Sequence, residues 1–159
     1  FDLDNSPYRV AQAGLEGRTL VQKTTNGVKA TLAALAARHV FVTGYSNAMN
    51  TARHVRHLLA RNELQTVNVI ASHARDDDDL ACAEFIRDRI LDLHQLRPDD
   101  VVERIRRSRP AAKFLVASAG EFEPRDLDFC VRAVPSSFVM QVDPRTAVPS
   151  IRRVISIQT

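Results

Sequence analysis

The sequence predicts a three-layer α/β/α fold with a largely parallel sheet. Between residues 19 and 96, short β-rich runs alternate with helical runs. The connections between them are short, and each β-rich run ends in a polar turn. Such alternation is the pattern of a parallel sheet covered by helices on both faces. The chain has 159 residues, one domain's worth, and 45% apolar content suffices for a core.

Residues 19–23, TLVQK, form the first expected strand, followed by an Ala/Leu-rich helix over 27–37. Residues 39–44, HVFVTG, read as a buried strand closed by Gly44. The helix over 46–62 places Ala48, Ala52, Val55 and Leu59 on one apolar stripe, at steps of four, three and four. Residues 66–72, TVNVIAS, are the third strand and 79–96 the third helix. Beyond Pro98 come a charged helix closed by Pro110, two helical runs over 111–122 and 125–134, and strands over 137–143 and 152–158. Strands 19–23, 39–43 and 66–72 are expected side by side in one sheet.

Composition narrows the function. Net charge is +3, from 19 Arg and 3 Lys against 19 acids, with no basic block and no Trp. Stacking platforms and a basic stripe are both missing, which argues against nucleic acid. The mild positive balance suits a small anionic substrate. No apolar run has the length of a membrane span. Cys82 and Cys130 lie far apart, without metal-knuckle or disulfide spacing. A reducing, cytoplasmic compartment is expected. The chain opens on Phe1 inside a motif-like stretch, so it reads as the C-terminal part of a longer chain, inactive by itself and inclined to self-associate.

Ligands in open α/β sheets sit beyond the carboxyl ends of the strands. Three turns fall there. Thr24, Thr25, Asn26 and Gly27 offer donors and close backbone approach at a helix start, which holds an oxyanion or merely caps the helix. In the 43–48 turn Ser46 suits a cap and Asn47 a ligand. The run Asp76, Asp77, Asp78 and Asp79 exceeds what a helix N-terminus needs, since one or two carboxylates contribute about 0.3–1 kcal/mol each there. A Mg²⁺ site fits it, as does a solvated acidic cap. His54 and His57 fall off the apolar stripe, among arginines, and read as a solvated basic face rather than zinc ligands. A cysteine phosphatase needs an Arg six residues after its nucleophile, where Asp88 and Ser136 stand.

The opening FDLDNS resembles the nucleophile motif of haloacid-dehalogenase-like phosphatases, with Asp2 as attacking carboxylate and Asp4 as proton donor. That family also needs a Lys between its second motif and its acidic pair, and none lies between Thr43 and Asp76. Taken together, DNSP (4–7), TTNGV (24–28), GYSNA (44–48) and DDLACAE (78–84) resemble the 2-phosphosulfolactate phosphatase family. The likeness extends into the tail, DLDFCVRAV with QVDPRTAVPSI. Asp4, Val28 and Glu84 stand where the family pattern has Gly, Thr and Gly. The resemblance implies an α/β phosphatase using Mg²⁺. It would release phosphate from 2-phosphosulfolactate to leave 3-sulfolactate, a step of coenzyme M synthesis in organisms that make it. It implies that Asp78 and Asp79 hold the metal and act in catalysis. Asn5, Ser6, Thr24, Thr25, Asn26, Gly27, Asn47 and Cys82 would then line the substrate pocket. A non-catalytic relative serving as a binding module is the remaining alternative.

Overall fold

The computed structural model describes residues 2–73, 75, 77–115 and 122–156. Among these residues the chain forms seven α-helices, a 3₁₀ turn and one two-stranded antiparallel sheet. In order they are α1 (Pro7–Gln12), α2 (Asn26–Ala33), the 3₁₀ turn Tyr45–Asn47, α3 (Ala48–Ala60), α4 (Asp77–Ile90), α5 (Pro98–Arg106), α6 (Arg109–Leu115), α7 (Arg125–Val131), β1 (Phe138–Asp143) and β2 (Ser150–Ile155).

The helices follow the expected pattern of apolar residues. α3 packs on α4, α4 on α5, and α7 reaches α1, α5, α6 and the 3₁₀ turn. Tyr45, Ala48, Ala52, Ala81, Phe85, Val101, Ile105, Leu127 and Val131 form one buried cluster between them. Small side chains at 48, 52 and 81, each almost fully buried, sit in the α3 and α4 faces of this cluster. α5 starts with Pro98 at its first position. Pro110 opens α6 rather than closing α5: Ser108 Oγ accepts the Ala111 N–H at 3.3 Å, and a proline is tolerated in a first turn. Of the helical run expected over 111–122, residues 116–121 lie outside the described residues, as do 157–158 of the last strand.

The strands differ from expectation. β1 and β2 pair antiparallel in the register Phe138 with Ile155 to Asp143 with Ser150. Residues 39–43 join only through a bridge of Phe41 to Gln141, also antiparallel, with Val42 N–H donating to Met140 O and Val142 N–H to Val40 O, both at 2.9 Å. Residues 19–23 and 66–72 form no strand, and the expected three-layer parallel sheet is not seen among the described residues. The physical reason is pairing. An extended segment is stable only when a neighbour takes its N–H and C=O groups, and neither segment has one here. Leu20, Val21 and Ile70 are accordingly 57%, 86% and 60% exposed.

α3 is buried on two faces, not one. Beyond the α4 side, Asn50, Thr51 and His54 turn toward β1 and the 39–43 segment. His54 is buried with its ring edge on Phe41, centroids 5.3 Å apart, and His39 stacks on the same phenyl ring. The solvated basic face expected at His54 is therefore an interior contact, because a second layer covers it.

Candidate active site

Each of the turns singled out above is first held by its own polar groups. Ser6 caps α1: its Oγ accepts the Arg9 N–H at 3.1 Å, while its own N–H donates to Asp4 Oδ1 at 3.1 Å. Asp4 Oδ2 also pairs with Arg9. In the second turn Thr24 Oγ1 accepts the Val28 N–H at 3.1 Å and so caps α2, a task sequence reasoning gave to Thr25 or Asn26. A Cβ at Gly27 would sit 3.2 Å from that Oγ1, which favours glycine there. Thr25 and Asn26 are exposed. In the third turn Asn47 Oδ1 accepts from Gly44 N–H at 3.0 Å and from Thr43 Oγ1 at 3.2 Å. Thr51 Oγ1 donates back to Asn47 O at 3.1 Å.

At the acidic end Asp79 Oδ2 accepts from Ser72 Oγ at 2.6 Å and from His73 N–H at 2.8 Å. This ties the end of the 66–72 segment to the first turn of α4. Asp77 is drawn away from any shared site. Arg104 of α5 donates to both its oxygens, at 2.6 Å to Oδ1 and 2.9 Å to Oδ2, and also grips Glu84. That hydrogen bond is the main reason the Asp77 carboxyl is held below the usual range.

Asp126 joins these pieces, and sequence reasoning missed it. Its Oδ1, on buried α7, accepts from Ser6 Oγ at 2.7 Å and from Tyr8 N–H at 2.9 Å. Arg125 lies over the Tyr8 ring at 3.7 Å and donates to its hydroxyl at 2.6 Å. No local signal marks Asp126, since an acid in RDLDF looks like any acid in a helix's first turn, 120 residues from its partner. The DNSP element is thereby fixed to α7. Asn5 Nδ2 in turn donates to Lys23 O at 3.5 Å, beside the 24–27 turn. One turn on from Asp126 along α7, Cys130 has its thiol pushed up by burial, then by Asp126, then by Asp78. Cys82 on α4 is pushed up to about 12 by burial, with Asp79 and Asp78 adding to it. Cys82 is thus a neutral thiol at neutral pH, not a nucleophile.

Residues 4–7 and the 3₁₀ turn holding Asn47 therefore adjoin α7, and the 24–27 turn is reached from Asn5; the acidic end of α4 is tied instead to the 66–72 segment through Asp79 and to α5 through Asp77. Among the described residues no hydrogen bond joins the 24–27 turn or Asn47 to Asp79. For a metal, the donor set offers two adjacent carboxylates, oxygen ligands that suit hard Mg²⁺. Among the described residues no group of three or more His, Cys, Asp and Glu gathers. Mg²⁺ does not require one, since it keeps waters and takes substrate phosphate oxygens. No helix among the described residues is long and apolar enough to cross a membrane.

Hydroxyl and amide turns and an acidic helix start are the kinds of group a phosphoric monoester hydrolase uses. Comparison with known proteins specifies the kind. The model of the 2-phosphosulpholactate phosphatase family matches residues 1–143. A Bacillus subtilis protein named "Probable 2-phosphosulfolactate phosphatase" is 44% identical over 155 residues, 98% of this chain and 67% of its own length. A Thermus thermophilus protein of the same name is 33% identical over 150 residues, 87% of this chain and 63% of its own length. One from Caldicellulosiruptor saccharolyticus is 28% identical over 95 residues, 58% of this chain and 39% of its own length. No solved structure matches the chain significantly. The chain belongs to the 2-phosphosulfolactate phosphatase family, a family of phosphoric monoester hydrolases.

Proposed function

We propose that this chain serves Mg²⁺-dependent hydrolysis of 2-phosphosulfolactate to 3-sulfolactate and phosphate. The observation that carries the reading is the 44% identity to the Bacillus protein along 98% of the chain. Its geometric support is the way α7 holds the DNSP element through Asp126 and Asn5 in turn reaches the start of the 24–27 turn. Asp78 and Asp79 would hold the ion, with Asp79 oriented by Ser72 and the His73 N–H. Bound there, Mg²⁺ would supply positive charge to the phosphoryl oxygens as the ester bond breaks. The exposed Thr25 and Asn26, the backbone at Gly27, Asn5 and the amide of Asn47 would bind the substrate's anionic oxygens. Ser6 acts indirectly, because its hydroxyl is committed to Asp126. In the same reading, residues 19–23, 39–43 and 66–72 are strands of one sheet in a three-layer α/β/α fold. Their support is a β-branched sequence ahead of α2, α3 and α4. The two cysteines are free, which fits a reducing, cytoplasmic setting.

The deciding experiment measures phosphate release from 2-phosphosulfolactate with Mg²⁺ and with EDTA, for wild type and Asp79→Asn. Wild type is expected to need Mg²⁺. Asp79→Asn should lose at least tenfold in kcat/KM with an unchanged circular-dichroism spectrum. Full activity in the variant, or in EDTA, would overturn the assignment.

A further inference from the structure

Ser46, Met49 and Arg53 follow one another at steps of three and four along the 3₁₀ turn and α3, so they share a face. That face, with Tyr45 and Phe85 behind it and residues 133–137 opposite, lines a half-open cleft of about 510 Å³. The size is that of a small-molecule site. Its far wall is held in place by the helix side. Val134 N–H donates to Ser46 O at 2.8 Å, and Asn50 Nδ2 donates to Val134 O at 3.2 Å and to Ser136 Oγ at 2.7 Å. Phe85 lies seven residues past Asp78 on α4, about 10 Å along a helix rising 1.5 Å per residue. The cleft therefore lies about two turns along α4 from the acidic end, on the far side of Ser46 from the Asn47 turn.

Its chemistry differs as well. Beneath the cleft lie the buried Tyr45 and Phe85 rings, 5.4 Å apart, and the Tyr45 hydroxyl is taken up by Pro98 O, another lining group, to which it donates at 3.3 Å. The wall adds Met49 and Val134. Among its lining residues one is a cation, the exposed Arg53, which makes no ion pair with any described residue; Ser46 and Ser137 line the same cleft. A guanidinium without a carboxylate partner, beside hydroxyl donors, recognises a planar carboxylate bidentately. An apolar lining selects an apolar body. A phosphorylated sulfonate carries charge at each end and has no apolar body, so it does not match this cleft. We infer that the cleft is a second ligand site, binding a small apolar carboxylate with its carboxylate on Arg53 and its ring or chain against Met49 and Val134.

The test is isothermal titration calorimetry with 1-naphthoate, and with neutral 1-naphthalenemethanol as the control for charge. The carboxylate should bind at one saturable site, at least tenfold tighter than the alcohol. Arg53→Gln should weaken naphthoate at least tenfold and leave the alcohol unchanged. Ala133→Trp, which fills the cleft from its exposed rim, should abolish both. No saturable binding, equal naphthoate affinity in Arg53→Gln, or binding that survives Ala133→Trp would overturn the inference. The readout is binding, so its result stands apart from any assay of phosphate release.

Discussion

Asp126 is the residue whose loss should be felt furthest in sequence. Removing its carboxylate leaves the Ser6 hydroxyl and the Tyr8 N–H without their acceptor, and a buried donor so orphaned costs about 1–3 kcal/mol. Asp126→Ala is thus expected to lower the urea-unfolding free energy by about 2 kcal/mol. Asp126→Asn should cost less, since the amide oxygen can still accept. If Ser6→Ala is additive with Asp126→Ala in a double-mutant cycle, the two side chains are not coupled and the bond is not a contributor. His54 gives a second prediction, in pH. Burial comes first, followed by the neighbouring His57 and His39, in holding its imidazole below the ordinary range; Glu63 opposes them. The folded state therefore favours neutral His54, while the unfolded chain takes up a proton near pH 6.5. Stability is full above that pH and is lost as pH falls below it toward the depressed folded value. His54→Leu should flatten the urea midpoint between pH 7.5 and 5.5. An unchanged slope would mean that other groups set the acid sensitivity.

Among the elements, α3 and α4 meet through Ala48, Ala52 and Ala81, where small side chains let two helices approach. Three added carbons at Ala52, about 1% exposed, have nowhere to go. Ala52→Leu is expected to destabilise by about 1–3 kcal/mol, read from thermal or urea unfolding. A neutral or stabilising result would show that a void lies beside Ala52. α4 is also tied at its start to α5, by Arg104 bridging Asp77 and Glu84. These groups are partly exposed, so the tie orients the two helices more than it stabilises them.

At the scale of the whole molecule the question is what covers the extended segments. Val21 is 86% exposed, and on β2 Ile155 is 80% and Ile151 44% exposed. β2 has β1 on one side and no strand on the other among the described residues. An open edge carrying branched apolar side chains pairs readily with another chain. Sedimentation velocity over a concentration series is expected to show self-association, shifted toward monomer by Ile155→Lys. A monomer at every concentration would remove that expectation.

What the sequence determined by itself was local. The apolar period placed α3 and, but for Leu58 in place of Leu59, its buried stripe; α4 was expected over 79–96 and ends at Ile90; and the order of DNSP, TTNG, GYSNA and the acidic run pointed to the family. These are readable because helix periodicity and turn chemistry depend on residues within a few positions of one another. What only the tertiary structure decided depends on partners far along the chain. It turned His54 inward by laying Phe41 over it, paired 39–43 antiparallel with β1, and left 19–23 and 66–72 unpaired. It drew Asp77 out of the acidic run to Arg104, and it set Asp126 under Ser6. A strand's neighbour and a buried carboxylate's donor are chosen by how elements pack, and no window of adjacent residues contains that choice.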